Sequence, residues 1–248
     1  MAFTPATLLV FTLGPSRERE RRRLLPASAA AEEQALYAGC LGAALEAGLE
    51  AGCSVVVSTP ERLALPPRIV QHRQPNGDFA ARLGQAMTRA RQAYPGPLVV
   101  VGTDVPGLLA AHLETALDAL TGGPRRAVLG PSPDGGFYLL AIDEPIPELL
   151  AQVRWSHPRT QADLAGALRR AGFEVVLLPP LRDLDRRSDL ERLLAGRSPA
   201  LGTLGRSLVA RLATVLAALK AVFLGPAERP RLLLEVPLLP GRAPPLPR

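Results

Sequence analysis

Four apolar residues in a row, Leu98-Val99-Val100-Val101, run directly into Gly102-Thr103-Asp104-Val105-Pro106. A wholly apolar, β-branched run of this length fits a strand buried on both faces, because a half-exposed strand would alternate apolar with polar residues. Such a strand needs helices above and below it. With 248 residues, 47% of them apolar, the chain has enough material for one large domain of that kind. Other apolar runs mark strands over Ala6–Leu13, Ser54–Ser58, from Arg68 onward, Arg126–Leu129, Phe137–Ile142 and Phe173–Leu178. Between them lie helical patterns: Ser28, as cap, to about Ala51; Asp78, as cap, to about Tyr94; Ala110–Leu120; Pro158–Ala171; and Ser188–Leu194. The alternation predicts a three-layer α/β architecture, a mostly parallel central sheet with helices on both faces. Two consecutive strands around Pro131–Gly136 add at least one antiparallel element.

The pattern changes after Ala195. Leu204, Leu208, Leu212, Val215, Leu216, Leu219 and Val222 follow helical spacing, and the last stretch is dominated by Pro240, Gly241, Pro244, Pro245 and Pro247. The expected organisation is therefore a domain over 1–195, an apolar and basic helix over 196–226 and a Pro-rich tail over 227–248. The Leu-rich segment 201–223 would dock on the domain, form a homodimer contact or lie on a membrane surface. It is interrupted by Arg206, Arg211 and Lys220, and no stretch of eighteen uncharged apolar residues exists, so no transmembrane segment is expected. The N-terminal apolar run precedes its arginines, the reverse of a secretory signal, which makes the cytoplasm the expected location.

Two cysteines, Cys40 and Cys53, exclude a disulfide scaffold and multi-cysteine zinc motifs. The formal charge of +6 comes almost wholly from arginine, and aromatic residues are 4% with no base-stacking series, so nucleic acid is not the expected partner. The three histidines, His72, His112 and His157, are scattered and read as surface or packing residues.

Chemistry is expected where carboxylates follow strands, because open α/β sheets bind ligands beyond the carboxyl ends of their strands. Asp104 follows the central strand and serves equally well as a helix or turn cap. Asp134-Gly135-Gly136 is a good tight turn, and equally a place where backbone N–H groups meet a substrate. Asp183 and Asp185 follow the last strand; as alternating residues, only one of the two is expected to face a cleft. With Asp104 they could hold a hard divalent ion such as Mg²⁺. The run Arg17-Glu18-Arg19-Glu20-Arg21-Arg22-Arg23 follows the first strand at the same edge, as a phosphate-binding segment or a solvated loop.

Taken together, Gly-Thr-Asp-x-Pro (102–106), Gly-Pro-x-x-Asp-Gly-Gly-Phe-Tyr-Leu (130–139), Trp155-Ser156 and Asp-Leu-Asp-x-x-x-Asp-Leu (183–190) resemble a bacterial family of glycosyltransferase-A-like proteins long labelled a domain of unknown function. Some of its members are described as transferases associated with radical-SAM or selenium domains, or with arsenosugar biosynthesis. Gln74, Gly77-Asp78-Phe79 and Arg82 resemble the family's Gln-x-x-Gly-Asp-Leu-x-x-Arg element. The likeness spans Ala6–Ala195. In place of the family's Pro-Gly-x-x-Lys-Thr-Arg-Leu loop stands 17–24, with Arg21 at the lysine and Arg23-Leu24 in frame.

The resemblance implies the nucleotide-diphospho-sugar transferase fold, with Mg²⁺ or Mn²⁺ as cofactor and a nucleotide-linked donor and a small-molecule acceptor as ligands. On that basis Asp104, Asp183 and Asp185 are the expected metal ligands, with Asp104 and Asp134 as catalytic groups. Arg21 and Arg23 would clamp phosphate oxygens, while Gly77, Asp78, Arg82, Thr103, Gly135, Gly136 and Trp155 would shape the substrate site. The leading expectation is a metal-dependent glycosyltransferase. The rivals are a nucleotidyltransferase releasing pyrophosphate and a non-catalytic binding module on the same fold.

Overall fold

The structure, a computed structural model, describes residues 5–123 and 125–194. In chain order the elements are β1 (Thr7–Phe11), α1 (Pro15–Arg22), a 3₁₀ turn at Ala27–Ala29, α2 (Ala30–Glu50), β2 (Ser54–Thr59), β3 (Val70–Arg73), α3 (Phe79–Ala93), β4 (Leu98–Val101), α4 (Ala110–Thr121), β5 (Arg126–Pro131), β6 (Phe137–Ile142), α5 (Pro147–Leu150), α6 (Thr160–Arg170), β7 (Glu174–Leu177) and α7 (Arg187–Leu194). The seven strands form one sheet in the order β3-β2-β1-β4-β6-β5-β7. Only β6 runs against its neighbours; every other pairing is parallel. This is the expected mostly parallel α/β fold, with the anticipated antiparallel strand in place.

The period-2 geometry of the strands divides the core into two layers. Leu8, Val10, Val99 and Val101 face a cluster closed by α2 and α4, through Leu41, Ala44, Leu45, Leu113 and Ala116. Leu9, Val56, Leu98 and Val100 face the opposite layer, closed by α3, α5 and α6 through Leu83, Met87, Leu150, Leu164 and Leu168. The four residues of β4 are all buried, which explains why this run carries no polar residue. No helix among the described residues is long and apolar enough to cross a membrane.

Three local expectations change. Residues 15–22 form a helix, α1, rather than a solvated loop: Gly14 turns the chain at φ +90 and Pro15 sits at the first helical position. Ser28 does not cap α2; it lies inside the 3₁₀ turn, and Ala29 precedes the helix without a side-chain cap. The third strand starts at Val70, two residues later than the apolar signal. Asp78, by contrast, caps α3 as its spacing predicts, accepting the Ala81 N–H at 2.8 Å. The segments expected over 196–226 and 227–248 lie outside the described residues.

Candidate functional site

All the parallel strands end at one edge of the sheet, and their continuations surround a cleft of about 460 Å³. β1 contributes Phe11 and Thr12, and β4 contributes Gly102, Thr103 and Asp104. The turn between β5 and β6 brings Asp134 and Gly136, and the chain beyond β7 brings Asp183 and Asp185. The edge is tied together by side chains. Thr12 and Thr103 share a hydroxyl hydrogen bond of 2.9 Å, and buried Gln74 donates through Nε2 to the carbonyls of Thr12 (2.9 Å) and Ser58 (2.8 Å). Arg82 Nη1 donates to Gln74 Oε1 at 3.0 Å.

The Gln74…Gly77-Asp78…Arg82 element therefore works as a brace, with Asp78 capping α3 and Gln74 joining the ends of β1 and β2. Replacing Gln74 by Ala leaves the buried Thr12 carbonyl and one guanidinium donor unsatisfied, and takes one of two donors from the Ser58 carbonyl, which the Thr12 N–H also serves. A loss of about 2 kcal/mol in chemical denaturation is expected, and a stability equal to the parent would show that the brace is dispensable.

One wall of the cleft is acidic. Carboxylate oxygens of Asp134, Asp183 and Asp185 lie within 4.8 Å of one another. Burial, and then the charges of Asp134 and Asp104, push the Asp183 carboxyl up to about 6. Both Asp183 and Asp185 reach the cleft, contrary to the expectation that alternation would turn one away. The segment is not a strand. Buried Leu184 donates its N–H to the Asp104 carbonyl at 2.7 Å, and its own carbonyl accepts from Arg22 at 3.0 Å, so the chain arcs with the flanking aspartates on the concave side. Asp189 Oδ2 holds the arc by accepting the Arg186 N–H at 2.7 Å.

Arg22, one residue from each of the two arginines expected to clamp phosphate, occupies the centre of this wall. Its Nε contacts Glu18 at 3.2 Å, Nη2 contacts Asp104 at 3.0 Å, and Nη1 pairs with Asp185. The side chain is 9% exposed. Burial alone would lower its pKa, but the Asp104 and Glu18 carboxylates more than offset that and hold it above the ordinary value. Asp104 thus has an arginine beside one carboxylate oxygen. Gly102 makes room for the other: a Cβ there would stand 2.7 Å from Asp104 Oδ1.

The opposite wall is aromatic. Phe79 stacks on Trp155 with centroids 4.5 Å apart, Phe11 meets Phe79 edge-on at 5.4 Å, and Phe137 meets Trp155 at 6.1 Å. Trp155 is oriented by its Nε1 donation to the Leu150 carbonyl at 3.1 Å. A register shift between Gly130 and Pro131 lets both Phe137 and Tyr138 reach the cleft, a common use of a bulge beside a site.

Of the residues singled out from sequence, the structure brings Arg21, Arg82, Thr103, Asp104, Asp134, Gly136, Trp155, Asp183 and Asp185 to the cleft. Gly135 is not on its lining and abuts the Pro158 backbone instead. Arg23 also stands apart, at φ +50 with Nε on the Glu20 carbonyl. Gly77 lines a neighbouring cleft of about 260 Å³, which also holds Arg17 and Arg73 and shares Leu13 and Arg82 with the first. Sequence reasoning gave Arg22 and Glu18 no role beyond the charged run 17–23, and it missed the three phenylalanines and His157, which also lines the cleft. A helix starting at Gly14-Pro15 would have revealed the first pair, because it places Glu18 and Arg22 four residues apart on one face.

Residues 24–157 match the model of a family described as "Uncharacterized protein conserved in bacteria (DUF2064)". No curated protein sequence matches the chain. Among solved structures, a candidate nucleotide-diphospho-sugar transferase from Desulfovibrio desulfuricans G20 aligns at a TM-score of 0.72 with 22% identity, covering 86% of this chain and 97% of that one. A 4-diphosphocytidyl-2C-methyl-D-erythritol synthase aligns at 0.52 with 11% identity, over 76% of this chain and 96% of that one. Both likenesses establish the nucleotide-diphospho-sugar transferase fold.

Proposed function

The chain belongs to the DUF2064 family of bacterial proteins, and from that membership together with the cleft we propose a divalent-cation-dependent transferase that uses a nucleotide-diphospho-sugar donor and a small-molecule acceptor. The observation that carries this reading is the pairing of two unlike walls across one cleft: three convergent carboxylates on one side and an aromatic surface on the other. Hard oxygen donors suit Mg²⁺ or Mn²⁺, which take one or two protein carboxylates and complete their shells with water and phosphate. The fit is also electrostatic. Asp183 is held in an environment that disfavours its own charge, and a cation beside it relieves that cost. Asp183 and Asp185, with Asp134 at their side, would hold the ion, which when bound neutralises charge on a departing diphosphate.

The protein groups then divide the remaining work. Arg21, Arg17 and Arg73 lie where the nucleotide's phosphates would lead from the larger cleft into the smaller, basic one. Trp155 and Phe79 offer flat apolar faces against which a sugar ring or base stacks. Asp134, exposed at the mouth with Oδ1 oriented by the Gly136 N–H at 2.8 Å, is the group to orient an acceptor hydroxyl and take its proton. The bond from the sugar to the diphosphate breaks, the nucleoside diphosphate departs, and the acceptor oxygen takes its place on the sugar.

Glycosyl transfer is preferred over nucleotidyl transfer from a triphosphate because β1 leads through the single Gly14 straight into α1. No glycine-rich loop is present there to cradle a triphosphate with successive N–H groups. The test is calorimetric titration of the full chain with UDP-, GDP- and dTDP-linked sugars in the presence of Mn²⁺. Cation-dependent binding of at least one donor is expected, with slow release of nucleoside diphosphate. Pyrophosphate release from a nucleoside triphosphate would move the assignment to nucleotidyl transfer, and no binding at all would leave a non-catalytic module. In the active protein, Asp134→Asn should lower kcat by about 10²–10⁴-fold with donor affinity retained; an unchanged kcat would remove Asp134 from the mechanism.

A further inference from the structure

We propose that Arg22 is a resident cation, filling the position between Asp104 and Asp185, so that the cleft takes one divalent ion through Asp183 and its neighbours and Asp104 is not one of its ligands. The inference deepens the cation-dependent reading above and rests on it.

Arg22 is held by hydrogen bonds on most of its donors. A guanidinium offers five N–H groups. Nε is on Glu18, Nη2 on Asp104 and Nη1 on the Leu184 carbonyl, so hydrogen-bond acceptors take three of the five, and Asp185 adds an ion pair at Nη1. These partners come from three separate pieces of chain: α1 itself, the turn after β4 and the arc after β7. Glu18, the partner on α1, is also fixed, since Oε1 accepts the Leu13 N–H at 3.3 Å. A side chain only 9% exposed and held from three directions is not a surface arginine resting on an acidic patch. Taking one partner away would leave buried charge unmatched, which is costly.

Charge arithmetic points the same way. Five carboxylates, Glu18, Asp104, Asp134, Asp183 and Asp185, converge on this wall, and Arg22 neutralises the inner part of it. The outer part, around Asp183, is where repulsion between carboxylates persists. There Asp134 and Asp183, which no arginine pairs among the described residues, and the second Asp185 oxygen face a hydrated ion entering from the cleft.

The test is Mn²⁺ binding alone, followed by electron paramagnetic resonance on the full chain without donor or acceptor, so that no turnover is needed. The parent protein should bind one ion. Asp183→Asn should weaken it by at least about 10–100-fold, the cost that a change merely beside a metal ligand already carries, whereas Asp104→Asn should leave the affinity within about twofold, because Asp104 Oδ2 already serves Arg22 and Asp104 stands outside the Asp134, Asp183 and Asp185 group. Arg22→Gln should release Asp104, together with the one Asp185 oxygen that Arg22 holds, and admit a second Mn²⁺ between them, which the double variant Arg22→Gln, Asp104→Asn should lose again.

The proposal is overturned if Asp104→Asn weakens Mn²⁺ as strongly as Asp183→Asn, or if the parent protein binds two ions. Should Arg22→Gln fail to fold, the Asp104→Asn and Asp183→Asn comparison still decides. Failure of the parent protein to bind Mn²⁺ at all removes the cation-dependent reading itself, an outcome distinct from a single ion that depends on Asp104.

Discussion

Asp183→Asn should make the protein more stable at neutral pH while weakening its divalent-cation binding. The carboxyl of Asp183 is pushed up to about 6 by burial and by Asp134 and Asp104. Folding therefore disfavours its charged form. Below about pH 4 the group is protonated in both the folded and the unfolded chain and contributes no penalty. Between about 4 and 6 the unfolded chain ionises first, so the penalty grows with pH, and above 6 it is fully present. A shift of about two units corresponds to about 3 kcal/mol; screening of this half-buried group by solvent reduces that to about 1–2 kcal/mol. Asn keeps the shape and removes the charge, so the gain in chemical denaturation should appear at pH 7.5 and vanish near pH 4. A stability gain paired with weakened cation binding is what a strained functional group predicts. A variant destabilised at both pH values would instead make Asp183 a structural residue.

The parts of the fold that were legible in the sequence are those where one physical demand dominates. Leu98–Val101 must be apolar throughout because both its faces are covered. Asp78 declares a helix start because its carboxylate meets the Ala81 N–H. α1 was not legible, because its sequence, PSRERERR, has no apolar stripe and what orders it is distant: Glu61, from beyond β2, accepts from the Ser16 hydroxyl at 2.6 Å, and Asp104 and Asp185 hold Arg22. The convergence of Asp104, Asp134, Asp183 and Asp185 at one edge follows from their positions after strands that run the same way. The arginine among them does not follow from spacing alone, nor does the aromatic wall. Phe11, Phe79, Phe137 and Trp155 come from four separate segments, each looking locally like an ordinary apolar residue. Alternation misled at Asp183 and Asp185 because it holds only inside a strand, and the chain there is an arc pinned by Leu184.

Gly135 and Gly136 look interchangeable in sequence, yet alanine at the two positions should fail in different ways. Gly135 adopts φ +92, and a Cβ built there would lie 1.8 Å from the Pro158 carbonyl oxygen and 2.4 Å from its carbon. Both are backbone atoms, so no rotamer change relieves the clash. The Gly135 carbonyl also accepts the Gln161 N–H at 2.9 Å, tying the turn to the start of α6. The left-handed conformation costs about 1–2 kcal/mol for a residue with a side chain, and forcing apart a packed contact adds about 1–3 kcal/mol. Gly135→Ala should therefore lower Tm by roughly 10 °C, taking about 2–4 °C per kcal/mol for a domain of this size.

At Gly136 the added Cβ would come nearest the Asp134 carboxylate, with Oδ1 at 3.1 Å, the end of an exposed side chain that can move aside. Gly136→Ala should keep the parent Tm and lose transferase activity, because the carboxylate it displaces is the one assigned to the acceptor. Thermal melts of the two variants beside a transfer assay separate the roles. A Gly135→Ala protein with the parent Tm and an altered donor or acceptor KM would return that glycine to the substrate site, where its sequence context alone had placed it.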